Sequence, residues 1–140
     1  MVLASYGELR TPAEMKVLAA SADPQFPGTY FRDMIAGVAK LGYHWHEETY
    51  PLTRVGFRRG IKQVRSSLNS GYPVLVGVSH PPIGHTVVVV GYDEKLSRIH
   101  LMDPELEEPG TRTLSYEEFE REWRENIIDI RAAIFTKPRR

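Results

Sequence analysis

Cysteine is absent from this 140-residue chain. The chain therefore cannot form a disulfide or a thiolate metal site, and it contains no thiol that could act as a nucleophile. His44 and His46 are separated by one residue, but no third metal ligand is evident beside them in the sequence. We expect no metal and no other cofactor.

Net charge is also absent, because 18 Lys and Arg side chains are balanced by 18 Asp and Glu side chains. A neutral chain has no overall attraction to nucleic acid or to an anionic membrane, so we expect neither as a partner. No apolar stretch approaches the roughly 20 residues that span a bilayer, and the first residues lack the pattern of a signal peptide. We expect one domain over residues 1–140, cytoplasmic as given; a missing upstream segment would leave the location open.

Two apolar segments rich in β-branched residues, 74–78 and 86–90, predict neighbouring β-strands, and a third strand is predicted over residues 98–102. His85 opens the second strand and Asp103 closes the third. Strands joined by tight turns usually pair antiparallel, so we expect the imidazole and the carboxylate to lie close together. A histidine oriented by an acid is the base half of a catalytic triad. The alternative is a strand-end histidine and an aspartate that merely caps Pro104.

The rest of the chain predicts helices first and antiparallel strands later, which defines an α+β class. A helix is predicted to begin at Pro12 after a capping threonine, and Ser115 with Glu118 predicts a capping box for a later helix. Helical periodicity predicts further helices over residues 30–41, 57–69 and 116–125, and alternation predicts an edge strand over 43–49, a short strand over 111–114 and a closing strand over 128–136.

This order of motifs resembles the papain-like cysteine peptidases that process bacteriocin leader peptides after a double glycine, and their relatives. The resemblance covers nearly the whole chain and implies a papain-like fold. It places the catalytic histidine of the family on His85 and its orienting acid on Asp103. The matching segments are residues 71–76 (GYPVLV), 84–93 (GHTVVVVGYD), 99–104 (IHLMDP) and 115–119 (SYEEF).

The resemblance is incomplete at the front of the chain. Residues 1–7 (MVLASYG) match only the end of the helix that begins with the catalytic cysteine in the family. That cysteine would lie about two helical turns before Met1, and the oxyanion-stabilising glutamine would lie earlier still. We therefore expect an incomplete first helix, caused by truncation or by a displaced gene start. Ser5 falls in the helix interior and is not expected to replace the thiol.

In the intact family site, a cysteine thiolate attacks a peptide carbonyl, His85 transfers the proton and Asp103 holds the histidine tautomer. By resemblance, the substrates are peptides with small residues before the cut. Without its cysteine, this chain is expected to be inert as a thiol peptidase. Two alternatives stay open: a non-catalytic module that binds a peptide or another substrate, and an interaction domain in which no peptide cleft is used.

His80 and Gly84 are predicted to line the substrate site, because they lie in or beside the loop that precedes His85. The alternative for His80 is an ordinary solvated loop residue. The expected partner is a peptide or protein substrate. An apolar surface left by the missing half of the first helix also predicts a homodimer.

Overall fold

The computed structural model describes residues 2, 12–18, 31–79, 84–104, 106, 110–125 and 128–137. The chain divides into two compact units, Met1–Glu47 with Thr136–Arg140, and Glu48–Phe135. The single domain expected from the sequence stays a prediction. The elements are α1 (Pro12–Leu18), α2 (Phe31–Ala39), β1 (His46–Pro51), α3 (Arg54–Asn69), β2 (Val74–Val78), β3 (His85–Asp93), β4 (Arg98–Met102), β5 (Thr111–Ser115), α4 (Tyr116–Glu122) and β6 (Ile130–Phe135).

The first unit contains α1 and α2. Helix α1 begins at Pro12 as predicted, and its capping threonine lies outside the described residues. Helix α2 is followed by a turn that contains a left-handed glycine, Gly42, with a φ of 91°. The amide of Tyr43 donates to the carbonyl of Val38 at 3.1 Å, which closes the helix end in the way a C-terminal glycine allows. Of the N-terminal segment matched to the family helix, only Val2 is described, and it is helical and buried.

The second unit is built on a six-stranded sheet with the order β1-β6-β2-β3-β4-β5. Strand β2 pairs antiparallel with β3 and β6, β3 pairs antiparallel with β4, and β4 pairs antiparallel with β5. The predicted α+β class with an antiparallel sheet is therefore confirmed. In the register, Val78 is opposite His85 and Val88 is opposite Met102.

One hydrophobic core holds α3 and α4 against the sheet. Alternate residues of β2 and β3, among them Val74, Val76, Val87 and Val89, are fully buried. At the centre of the core, Trp123 packs against aromatic rings of β1, α3 and α4, and its indole N–H donates to the carbonyl of Ala132 at 3.0 Å. The rings lie 5.1 to 6.2 Å from that of Trp123 and belong to Tyr50, Phe57 and Phe119.

Arg131 is a buried positive charge of this unit, although the sequence places it in an apolar closing strand. Its guanidinium donates to the carbonyls of Pro51 and Thr53 at 2.9 and 3.1 Å and lies over the Phe57 ring. Burial lowers the pKa of Arg131. The side chain thus satisfies carbonyls at the turn between β1 and α3, where backbone oxygens need donors.

Several predicted boundaries are corrected by the structure. The edge strand is β1, which begins three residues and ends two residues later than predicted. Helix α3 begins at Arg54 because the Thr53 side chain accepts from the Gly56 amide at 3.0 Å. Helix α4 has the predicted capping box but ends at Glu122, since Trp123 leaves the helical conformation to enter the core. Strand β3 extends to Asp93 through a bulge after Val89.

The described helices include none that is both long enough and apolar enough to cross a membrane.

Gly60 on α3 should not tolerate alanine. A Cβ there would lie 2.6 Å from Cη2 of Trp123 and 3.2 Å from Cδ2 of Tyr50. Helix propensity alone would favour alanine by about 1 kcal/mol. Overpacking reverses the sign, so we expect Gly60→Ala to lower the free energy of unfolding by about 1–3 kcal/mol in urea denaturation. Ser66→Ala, on an exposed position of α3, is the control and should change stability by less than about 0.5 kcal/mol. A more stable Gly60→Ala variant would contradict the packing described here.

Tyr50 should make the fold sensitive to alkaline pH. Burial, helped by the charge of Glu48, raises the pKa of Tyr50 to about 12, and its hydroxyl donates to Oε1 of Gln63. An unfolded tyrosine ionises near pH 10, so the folded state favours the neutral phenol. This contribution to stability is complete below about pH 10 and falls as the pH rises towards 12. Unfolding measured across that range should show a smaller loss for Tyr50→Phe than for the parent. Equal losses would contradict the prediction.

Candidate functional site

His85 and Asp103 meet at one end of the β3–β4 pair. His85 is the first residue of β3 and Asp103 is the first residue after β4, and the antiparallel register brings these ends together. The Nε2 atom of His85 lies 2.6 Å from Oδ1 of Asp103, and the two side chains are 11% and 7% exposed. The juxtaposition predicted from the sequence is therefore confirmed, whereas the catalytic role of the pair stays a prediction.

The geometry of this pair determines which ring nitrogen can do chemistry. A carboxylate accepts hydrogen bonds, so Asp103 holds the proton of a neutral His85 imidazole on Nε2. The lone pair that can accept a further proton is then on Nδ1. Such a contact fixes both the tautomer and the ring plane, which is what a general base needs before it can act on a substrate or a nucleophile.

The connection between β4 and β5 holds the backbone of Asp103. The amide of Asp103 donates to the carbonyl of Gly110 at 2.8 Å, and the carbonyl of Asp103 accepts from Leu106 at 3.2 Å. Gly110 has a φ of 72°, a left-handed conformation that is costly for a residue with a side chain. This glycine therefore allows the chain to close back on Asp103 before β5 begins.

Two further charged residues belong to the site and were missed by the sequence reasoning. Nη1 of Arg112, on β5, lies 3.6 Å from Oδ2 of Asp103. Nη2 of Arg112 lies 3.2 and 3.4 Å from the two carboxylate oxygens of Glu122 at the end of α4. A signal for Arg112 was present in the sequence, because only eight residues separate β4 from β5 and such strands usually pair antiparallel. That pairing places Arg112 opposite Leu101, two residues before Asp103.

The glycines near the site lie beside another carboxylate. Oε1 of Glu125 lies 2.6 Å from the position that a Cβ on Gly77 would occupy, so a side chain at Gly77 would displace it. Gly84 is exposed, and a Cβ there would lie 3.9 Å from Oε2 of Glu125. Gly84 directly precedes His85 in the chain, and its predicted place in the substrate site stays a prediction. His80 lies outside the described residues.

The two histidines near β1 do not form a metal centre in the structure. His44 precedes the strand, His46 begins it, and both are exposed. Within the part of the chain that the structure describes, no group of three or more His, Cys, Asp or Glu side chains could hold a metal ion.

The fold is that of a papain-like peptidase domain. The structure superposes on the peptidase domain of Streptococcus ComA, a bi-functional ABC transporter involved in a quorum-sensing pathway, with a TM-score of 0.70 and 22% sequence identity. The match covers 99% of this chain and 85% of that one. At this identity the likeness establishes the fold alone.

The profile of the Peptidase_C39 like family matches residues 1–127, and the chain belongs to that family. The resemblance drawn from the sequence motifs is therefore confirmed. A comparison with curated proteins gave no match.

Replacing Gly110 with alanine should strain the backbone beside Asp103 and lower the stability of the folded chain. A left-handed conformation costs an ordinary residue about 1–2 kcal/mol, so we expect Gly110→Ala to lower the free energy of unfolding by about that amount. Urea denaturation followed by circular dichroism measures the change. Ser97, with a φ of 52°, is a left-handed position that already has a side chain. Ser97→Gly is the matched control and should not destabilise the chain. A Gly110→Ala variant as stable as the parent would contradict the need for glycine.

Proposed function

We propose that the chain is a peptidase-like domain that binds an extended peptide at His85 and Asp103, and that these 140 residues do not cleave it by thiol chemistry. The observation that carries the proposal is a partly buried histidine 2.6 Å from a buried carboxylate in a chain without cysteine. Membership of the family supports a peptide as the ligand class. By the same resemblance, the residues recognised before the cut position would be small.

In a complete thiol site, formation of the acyl-enzyme proceeds through two proton transfers at the histidine, and hydrolysis of that intermediate repeats them with water. The thiol gives its proton to Nδ1 of His85, and the sulfur attacks the peptide carbonyl. The imidazolium then protonates the leaving amine, and water hydrolyses the resulting thioester. Asp103 stabilises the imidazolium and keeps the Nε2 proton in place. His85, oriented by Asp103, can transfer the protons, but the covalent step needs a sulfur that this sequence does not contain.

The second candidate function is peptide hydrolysis with a thiol supplied from outside these 140 residues. Family membership and the His85–Asp103 distance favour it. Sequencing the DNA upstream of the Met1 codon tests it. An in-frame cysteine about two helical turns ahead would justify expressing the longer chain and assaying cleavage, with Cys→Ala as the control. An upstream stop codon or unrelated sequence would leave the binding module as the function.

Peptide binding without cleavage is the expected result for the chain as given. A synthetic peptide with a central Gly-Gly pair should bind by calorimetry, and mass spectrometry should find it intact. The same peptide with Val-Val in place of Gly-Gly should bind more weakly by about tenfold or more, because a site shaped for small residues excludes larger ones.

NMR spectra of the imidazole groups locate the binding site. The peptide should shift the resonances of His85 but not those of His100, which is hydrogen-bonded to Thr113 at 3.1 Å on the neighbouring strands β4 and β5. His85→Ala should weaken binding, and His100→Ala is the matched control. Absence of binding, shifts confined to His100, or equal affinity for both peptides would refute the binding proposal. Cleavage by the purified chain would refute its inactivity.

Self-association belongs to this proposal as well. We expect two copies to associate through the apolar surface left by the missing half of the first helix. Residues 1 and 3–7 of that segment lie outside the described residues. Sedimentation velocity over a range of concentrations measures it, and a monomer at the highest concentration would refute it.

A further inference from the structure

Asp103 has a carboxylate that must be oriented by its neighbours. The terminal torsion of an aspartate side chain is broad, so the side chain itself does not fix where each oxygen points. His85 contacts Oδ1 at 2.6 Å, and the guanidinium of Arg112 faces Oδ2 at 3.6 Å. At that distance the second contact is an ion pair rather than a hydrogen bond. The two oxygens are thus approached from two strands, β3 and β5.

Arg112 is itself held in place by Glu122. Its Nη2 atom lies 3.2 and 3.4 Å from the carboxylate oxygens of Glu122, while Nη1 faces Asp103. The planar guanidinium can engage two carboxylates at once because its donors point in fixed directions, which a lysine ammonium cannot reproduce. The carbonyl of Glu122 also accepts from the amide of Ser79 at 2.8 Å. Ser79 directly follows Val78, the residue of β2 opposite His85. Glu122 therefore contacts both Arg112 and the end of the strand that pairs with β3 at His85.

The geometry points to Arg112 as a positioning residue. Arg112 holds Asp103 in the orientation that keeps the proton of His85 on Nε2, and Glu122 holds Arg112 in place. The inference deepens the proposed function and rests on it, because the orientation matters only if His85 acts on a ligand. A buried carboxylate also needs compensation of its charge, and Arg112 supplies a positive group on the side away from the histidine.

The tautomer of His85 is the measurement that tests this role. Imidazole ¹⁵N spectra recorded at about pH 9, above the ordinary range of histidine titration, distinguish a proton on Nε2 from one on Nδ1. We expect one tautomer in the parent chain, protonated on Nε2. Arg112→Ala should give a mixture, with a severalfold rise of the Nδ1-protonated form. Arg112→Lys should give a spectrum between those of the parent and Arg112→Ala, because lysine keeps the positive charge but lacks the planar set of donors of the guanidinium. Glu122→Ala should give a smaller shift of the same kind.

Arg65 provides a matched control for the loss of an ion pair. Its side chain is 28% exposed, close to the 31% of Arg112, and it lies 3.1 Å from Glu94, away from the candidate site. Arg65→Ala should leave the His85 spectrum unchanged. A single Nε2 tautomer retained in folded Arg112→Ala would overturn the inference. If that variant does not fold, a parent-like spectrum for both Arg112→Lys and Glu122→Ala would overturn it.

The failure of this inference and the failure of the proposed function are distinguishable. The tautomer is measured without a peptide, whereas peptide binding is measured on the parent chain. A mixed tautomer in Arg112→Ala supports the positioning role even if the parent binds no peptide. A bound peptide with an unchanged tautomer in Arg112→Ala supports the proposed function and removes Arg112 from it.

Discussion

Asp103 is a buried negative charge, and such a charge is stable only where its neighbours replace the water it has lost. Its neighbours come from two segments: His85 at the start of β3 and Arg112 within β5 face the carboxylate, and Gly110, just before β5, accepts from the backbone amide of Asp103. Each of them reaches Asp103 because the antiparallel sheet brings strand ends together. The candidate site therefore depends on the pairing of β3, β4 and β5, and a shift of register in any pair would leave the carboxylate without compensation.

The hydrophobic core supplies the rigidity that this arrangement needs. Val87 and Val89 continue from His85 along β3 into the fully buried cluster around Trp123. Strand β2 is buried along its whole length, which leaves little freedom for β3 to slide against it. Arg131 satisfies carbonyls on the opposite side of β2, at the turn from β1 into α3. A polar site at the ends of inner strands is thus positioned by an apolar interior that takes no part in its chemistry.

The absence of cysteine separates the orientation of a base from covalent catalysis in this chain. The His85–Asp103 pair retains the geometry for orienting an imidazole, and the family supplies the expectation of peptides as ligands. Covalent catalysis requires a nucleophile in addition to a base, because the base only moves a proton. In the proposed function the pair takes part in recognition of a peptide, and hydrolysis would require a thiol from outside these residues.

The sequence by itself determined the strands β2 and β4, the capping box of α4 and the nearness of His85 to Asp103, because each of these depends on residues close together in the chain or on one tight turn. Motifs spread over nearly the whole chain also identified the family from the sequence. Only the tertiary structure decided that Arg112 lies between Asp103 and Glu122, that Glu125 lies close to Gly77, and that Arg131 is buried among carbonyls. These contacts join strands and helices whose relative position follows from sheet register and core packing, and a charged residue in a linear sequence does not reveal which distant partner the packing will bring to it.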